Sequence, residues 1–142
     1  LNSGVSLPSN FSSIGRMFPD VSLIGHYCPV IDNGGLIAVD GTSCSCPLFA
    51  SIVTLLNQHQ TERGRPKLGY INPLLYMMYY DSAECFNDIE VGNNWCTEVD
   101  CCPLNERNGS DFGFKAAKGY DPVYGLGTPN VECMRRWLDR NT

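Results

Sequence analysis

A chain of 142 residues, 43% hydrophobic, holds enough apolar material for one compact domain or a large piece of a bigger one. A formal net charge of −5 and a pI of about 4.8 argue against nucleic acid or an anionic membrane surface as the partner, since both need basic patches. No apolar run approaches the roughly 20 residues of a membrane span, and Leu1-Asn2-Ser3-Gly4 lacks the basic start and apolar stretch of a signal peptide. A chain that opens with Leu reads as a processed product.

Residues 1–35, rich in Gly, Ser, Pro and Asn, read mostly as loops, with residues 21–24 as one strand candidate. Gly35-Leu36-Ile37-Ala38-Val39 is a short apolar run, the pattern of a buried parallel strand. It ends in the turn chemistry of Asp40-Gly41-Thr42-Ser43. Pro47 then opens a helix whose Leu48, Phe49, Ile52, Val53, Leu55 and Leu56 are too many for one stripe, so burial on most sides is expected. Gly64 and Pro66 mark its end. Asn72-Pro73 caps a second helix running toward Tyr80. Residues 85–127 are dense in Gly, Asn, Asp and Cys and read as a long loop that needs disulfides or a metal to hold it. Thr128-Pro129 starts the last helix, through Met134, Trp137 and Leu138.

Eight cysteines (Cys28, Cys44, Cys46, Cys85, Cys96, Cys101, Cys102 and Cys133) point to disulfides and an oxidising compartment. The sequons Asn10-Phe11-Ser12 and Asn108-Gly109-Ser110 agree, making Asn10 and Asn108 candidate glycosylation sites. Zinc is poorly served, because there is no Cys-x-x-Cys pair and His26 and His59 fall into no zinc-finger spacing.

Ser43 is the candidate nucleophile. A serine at a helix start sits beside unpaired backbone amides and the positive end of the helix dipole, which can stabilise the oxyanion formed when a hydroxyl attacks a carbonyl. Read by itself, Gly-Thr-Ser is more simply a helix cap. The longer context decides. Gly41-Thr42-Ser43-Cys44-Ser45-Cys46-Pro47 resembles the Gly-Thr-Ser-x-Ser-x-Pro signature of the sedolisin (serine-carboxyl peptidase) family, whereas subtilisins have Ala at the fifth position. Gly15-Arg16-Met17-Phe18-Pro19-Asp20-Val21-Ser22, the segment from Leu55 to Tyr76, and Gly119-Tyr120-Asp121-Pro122-Val123-Tyr124-Gly125-Leu126-Gly127-Thr128-Pro129-Asn130 are similar to blocks of the same family in the same order.

The resemblance implies a subtilisin-like α/β fold, a parallel sheet flanked by helices. Residues 1–142 would be the C-terminal portion of the catalytic domain, with a disulfide- and calcium-held loop region. It implies an acid-acting serine-type endopeptidase or tripeptidyl-peptidase whose base is a glutamate oriented by an aspartate. Those two carboxylates, and the aspartate that helps bind the oxyanion, lie upstream of the Gly-Thr-Ser block in the family and so on an upstream, heavy chain here. This chain would be the light chain of a two-chain member, secreted or in a lysosomal or acidic vacuolar compartment. A glutamate is poised at acid pH, where a histidine would be mostly protonated.

By the same resemblance, Asp88, the Ile89 carbonyl, the Ala117 and Gly119 carbonyls and Asp121 form a Ca²⁺ site, with Ala117 standing where the family usually has Gly. On spacing alone Asp88 and Asp121 are ordinary turn residues. Three features depart from the family pattern: Asp40 stands where serine is usual, and Cys44 and Cys46 flank the serine turn where small residues are usual. Asp40 is expected to face solvent, and the two cysteines to be disulfide partners or buried thiols. His26 and His59 are expected to be structural. The competing expectations are a non-catalytic, calcium-stabilised fragment or pseudoenzyme, and a histidine-dependent subtilisin relative.

Overall fold

A computed structural model describes residues 7–8, 11–12, 14–95 and 113–142. The candidate sites Asn10 and Asn108 and the cysteines Cys96, Cys101 and Cys102 lie outside the described residues. The elements in chain order are β1 (Cys28–Asp32), β2 (Gly35–Val39), α1 (Thr42–Thr61), α2 (Asn72–Asp81), a 3-10 turn (Ala83–Cys85), β3 (Phe86–Asn87), β4 (Thr128–Pro129) and α3 (Val131–Asn141). The chain divides into two compact units, one of residues 1–21 and 87–128, the other of residues 22–86 and 129–142.

In the second unit, β1 and β2 form an antiparallel hairpin with Val30 opposite Ile37 and Ile31 opposite Leu36. This corrects the reading of residues 35–39 as a buried parallel strand. Asn33 and Gly34 both take positive φ, 49° and 80°, and so make the tight two-residue turn that folds one strand back on the other. Every residue of β2 is exposed, Leu36 at 71% and its neighbour across the ladder, Ile31, at 69%. Residues 21–24 form no strand. Among the described residues both sheets have two strands.

Helix α1 begins at Thr42 rather than at Pro47, which lies inside it. Only Leu56, His59 and Gln60 of α1 are buried, and Leu55 is 55% exposed, so the expected all-round burial is not found. Helix α2 lies where its Asn-Pro start places it, although its N-cap is Ile71 and no side chain caps it. Helix α3 starts at Val131, with Asn130 as N-cap accepting the Cys133 N–H, because Thr128–Pro129 is taken up as β4.

Its Cys133, Met134, Trp137 and Leu138 are buried at helical spacing, and they carry the core against α1 and the 3-10 turn. Leu56, Leu75, Met78, Cys85 and Phe86 complete that core. A Cys85–Cys133 disulfide, 48 residues apart in sequence, crosses it. Closing a loop of that length stabilises by about 4 kcal/mol in the chain-entropy account. The Asn130 N–H donates to the Cys85 carbonyl beside it.

In the first unit two sequence blocks about a hundred residues apart meet. The Leu126 N–H donates to the Asp20 carbonyl at 2.9 Å, and Gly125, at φ 63°, lies so close to Asp20 that a Cβ would stand 2.5 Å from its carbonyl. Arg16 and Asp20 form an ion pair within the first block. No helix of the described residues is long and apolar enough to cross a membrane.

Candidate active site

Ser43 is the second residue of α1 and is exposed. The N-cap is Gly41, which has no side chain to accept the first-turn amides, and no side-chain cap is made. The capping role that Gly-Thr-Ser suggests is therefore not the one Ser43 has. Its hydroxyl is in no hydrogen bond among the described residues; of the first-turn amides, the Cys44 N–H donates to the Gly41 carbonyl at 3.0 Å, which leaves those of Thr42 and Ser43 without an intrahelical acceptor. Pro47, four residues on, has no N–H to return to the Ser43 carbonyl. The arrangement is a free hydroxyl at the positive end of a 20-residue helix.

The turn that carries Ser43 is held from outside the helix. Cys44, the next residue, is disulfide-bonded to Cys28 at the start of β1. The Gly41 N–H donates to the Gly25 carbonyl at 2.7 Å, and the Ser45 hydroxyl lies 3.2 and 3.1 Å from the Leu23 and Ile24 carbonyls. Asp40 Oδ1 accepts from the Tyr27 N–H at 2.8 Å and meets His26 Nδ1 at 2.9 Å. Asp40 is exposed, as expected, yet these partners hold it: chiefly the Tyr27 N–H, with His26 adding to it, lowers its carboxyl below the ordinary aspartate value. Cys44 is a disulfide partner as expected. Cys46 is neither partner nor buried thiol among the described residues; it is free and exposed. The clamp of residues 23–28 escapes sequence reasoning, since nothing in that segment is a motif and eight cysteines allow about a hundred pairings.

Neither histidine is hydrogen-bonded to Ser43. His26 pairs with Asp40, and its ring lies 3.9 Å from that of Tyr27. His59 is 4% exposed, its Nδ1 accepting from Arg135 Nε at 3.1 Å and its Nε2 at 2.9 Å from Asp139 Oδ1. Since Arg135 can only donate, the His59 proton sits on Nε2 and is given to Asp139. His59 is thus a structural group joining α1 to α3.

In the other unit the expected metal set meets in two pairs, Asp88 with Gly119 and Asp121 with Ala117. Pairing of Asn93 with Lys115 and the Ala116 N–H···O=C Gly92 bond draw residues 88–93 alongside 115–119. Asp88 Oδ2 accepts the Gly119 N–H at 2.7 Å, and Asp121 Oδ2 accepts the Ala117 N–H at 2.9 Å. Asp121 Oδ1 also accepts from Val123 and Tyr124, the work of a turn residue. Ile89 follows Asp88 and is half-buried. Gly119 has φ 83°, whereas Ala117 is not among the positive-φ residues, so its Cβ is accommodated where the family usually has Gly.

Among the described residues no three His, Cys, Asp or Glu side chains converge on a metal position. The expected set has only two carboxylates, the rest being backbone carbonyls. Asp121 is fully buried with no lysine or arginine paired to it among the described residues. A buried aspartate side chain beside backbone carbonyls is an oxygen-only donor set of the type that suits a hard cation.

No family model matches the chain. Among curated proteins, physarolisin of Physarum polycephalum is 45% identical over 129 residues, covering 89% of this chain and 21% of that protein. Tripeptidyl-peptidase 1 of Dictyostelium discoideum is 35% identical over 132 residues, 93% of this chain and 20% of that protein. Tripeptidyl-peptidase SED2 of Arthroderma otae is 36% identical over 130 residues, 90% of this chain and 21% of that protein. The chain spans about a fifth of the length of these relatives. With identity at this level across nearly all of its residues, the chain belongs to the sedolisin, or serine-carboxyl peptidase, family.

Proposed function

We propose that this chain supplies the nucleophile, Ser43, of an acid-acting serine-carboxyl peptidase. The observation that carries the reading is an exposed hydroxyl, in no hydrogen bond among the described residues, in the first turn of α1 and within the family's own motif. The Ser43 Oγ attacks the scissile carbonyl carbon and its proton passes to a glutamate carboxylate on the upstream chain. The oxyanion is stabilised by first-turn amides together with an upstream aspartate. The C–N bond then breaks, the amine leaves with the proton, and water releases the acyl group from Ser43. A carboxylate base sets an acid optimum.

The partner is the upstream segment that bears the glutamate and aspartate. The exposed apolar side chains of the hairpin, Ile31, Leu36 and Ile37 among them, support an apolar cover of that kind. Asp88, Asp121 and the Ile89, Ala117 and Gly119 carbonyls would hold Ca²⁺, which would supply counter-charge to buried Asp121 and order to the loop. Two disulfides suit a secreted or acidic vacuolar setting.

Cleavage within peptides is the first mode expected. Release of tripeptides is the second, favoured by the names of two relatives. Peptides with free and with blocked N-termini separate the two modes. The test of the function is hydrolysis between about pH 3 and pH 7 by the assembled protein and its Ser43→Ala variant. An acid optimum and a loss of roughly 10⁴-fold or more are expected. The melting temperature should be unchanged, because the hydroxyl bonds to nothing described. A neutral optimum or an active Ser43→Ala variant contradicts the reading, and a folded, partner-bound protein without hydrolysis favours the pseudoenzyme.

A further inference from the structure

Resting on Ser43 as the nucleophile, we propose that residues 23–28 and the Cys28–Cys44 disulfide are the positioning device of Ser43, so that opening this one bond slows acyl transfer without unfolding the chain.

Of its own, the first turn of α1 has the Cys44 N–H bond to the Gly41 carbonyl, at 3.0 Å, but no side-chain cap. Its N-cap is a glycine, and Pro47 leaves the Ser43 carbonyl without its helical donor. What else holds it comes from residues 23–28, which make ties on both sides of Ser43. Asp40 is tied to His26 and Tyr27, Gly41 to Gly25, Cys44 to Cys28, and Ser45 to Leu23 and Ile24. The Ser43 hydroxyl, in the middle, is in no hydrogen bond among the described residues. The fit is close: a Cβ on Gly25 would lie 2.7 Å from Ser45 Oγ and 3.0 Å from the Gly41 carbonyl oxygen.

Of these ties only Cys28–Cys44 is covalent, and it closes a loop of 16 residues onto the residue next to the nucleophile. A dithiol reductant opens it by a two-electron exchange. Cys28 and Cys44 each take up one electron and one proton, and the reductant becomes a cyclic disulfide. The serine chemistry is untouched, but its geometry is then left to hydrogen bonds alone.

The test uses the assembled peptidase and reads kcat and KM separately, well below each variant's melting temperature. Cys28→Ser/Cys44→Ser is expected to lower kcat roughly 10- to 100-fold, the scale of a misplaced reacting group, with KM within about twofold. Gly25→Ala, which presses on the same clamp without touching a cysteine, is expected to move kcat in the same direction. Cys85→Ser/Cys133→Ser, which removes the other disulfide of the same unit, is expected to lower the melting temperature and leave kcat within about twofold. Wild-type kcat in both Cys28→Ser/Cys44→Ser and Gly25→Ala overturns the proposal while leaving the nucleophile in place. Equal losses in all three variants that track melting temperature also overturn it. A wild type whose hydrolysis survives Ser43→Ala removes the functional reading and the positioning role together.

Discussion

At Asp139 one carboxylate oxygen gathers His59 Nε2 at 2.9 Å, Arg63 Nε at 2.8 Å and Arg65 Nη1 at 3.4 Å. Burial pushes this carboxyl up, but the His59 hydrogen bond and the charges of Arg63 and Arg65 outweigh it and hold the group below the ordinary 3.8. A folded-state value below the unfolded one means that the unfolded chain binds the proton more readily. The stabilisation is therefore complete above the unfolded value and lost as pH falls through the folded one. Asp40 shifts in the same direction, first through the Tyr27 N–H. Both ties thus persist through the mildly acid range in which a glutamate base works. Asp139→Asn is expected to lower the melting temperature by a few degrees at about pH 6, with the gap to wild type closing as pH falls below the ordinary aspartate value of 3.8 and the wild-type carboxyl takes up its proton. A gap that stays constant across this range contradicts the assignment.

The elements show where sequence reading reaches and where it stops. Helix α2 was legible because Asn72-Pro73 admits a helix start, and the core of α3 because Met134, Trp137 and Leu138 repeat at helical spacing. The run Gly35–Val39 was not, because a continuous apolar strand looks the same whether it is buried in a parallel sheet or lies in an exposed hairpin. The signal that separates the two was present two residues earlier, in Asn33-Gly34. The Gly-Thr-Ser motif was legible, but the clamp behind it depends on backbone carbonyls of residues 23–25, which no side-chain pattern marks. The loop elements carry their own prediction. Removing calcium with a chelator at about pH 6 should lower the melting temperature by several degrees, restored by excess Ca²⁺ but not by Mg²⁺. Asp121→Asn should abolish that calcium-dependent increment, and a melting temperature indifferent to the chelator contradicts the site.

At the scale of the whole molecule, the hairpin presents Ile31, Leu36 and Ile37 to solvent, while α1 presents Leu55 and α2 presents Met77 and Tyr80. Surfaces of this kind bind apolar dyes and associate. The chain alone should do both, and both should cease when the proposed upstream segment is supplied; a folded, monomeric chain that is silent to such dyes contradicts that partner. The central claim, that Ser43 receives the acyl group, is tested most directly by trapping it. The assembled protein is reacted with a serine-directed acylating or phosphonylating reagent at the pH of its activity, and the modified residue is mapped by mass spectrometry. A single adduct on Ser43, forming as hydrolysis is lost, is the predicted result. Complete inhibition with the adduct on another residue, or hydrolysis that continues with Ser43 fully modified, would contradict it.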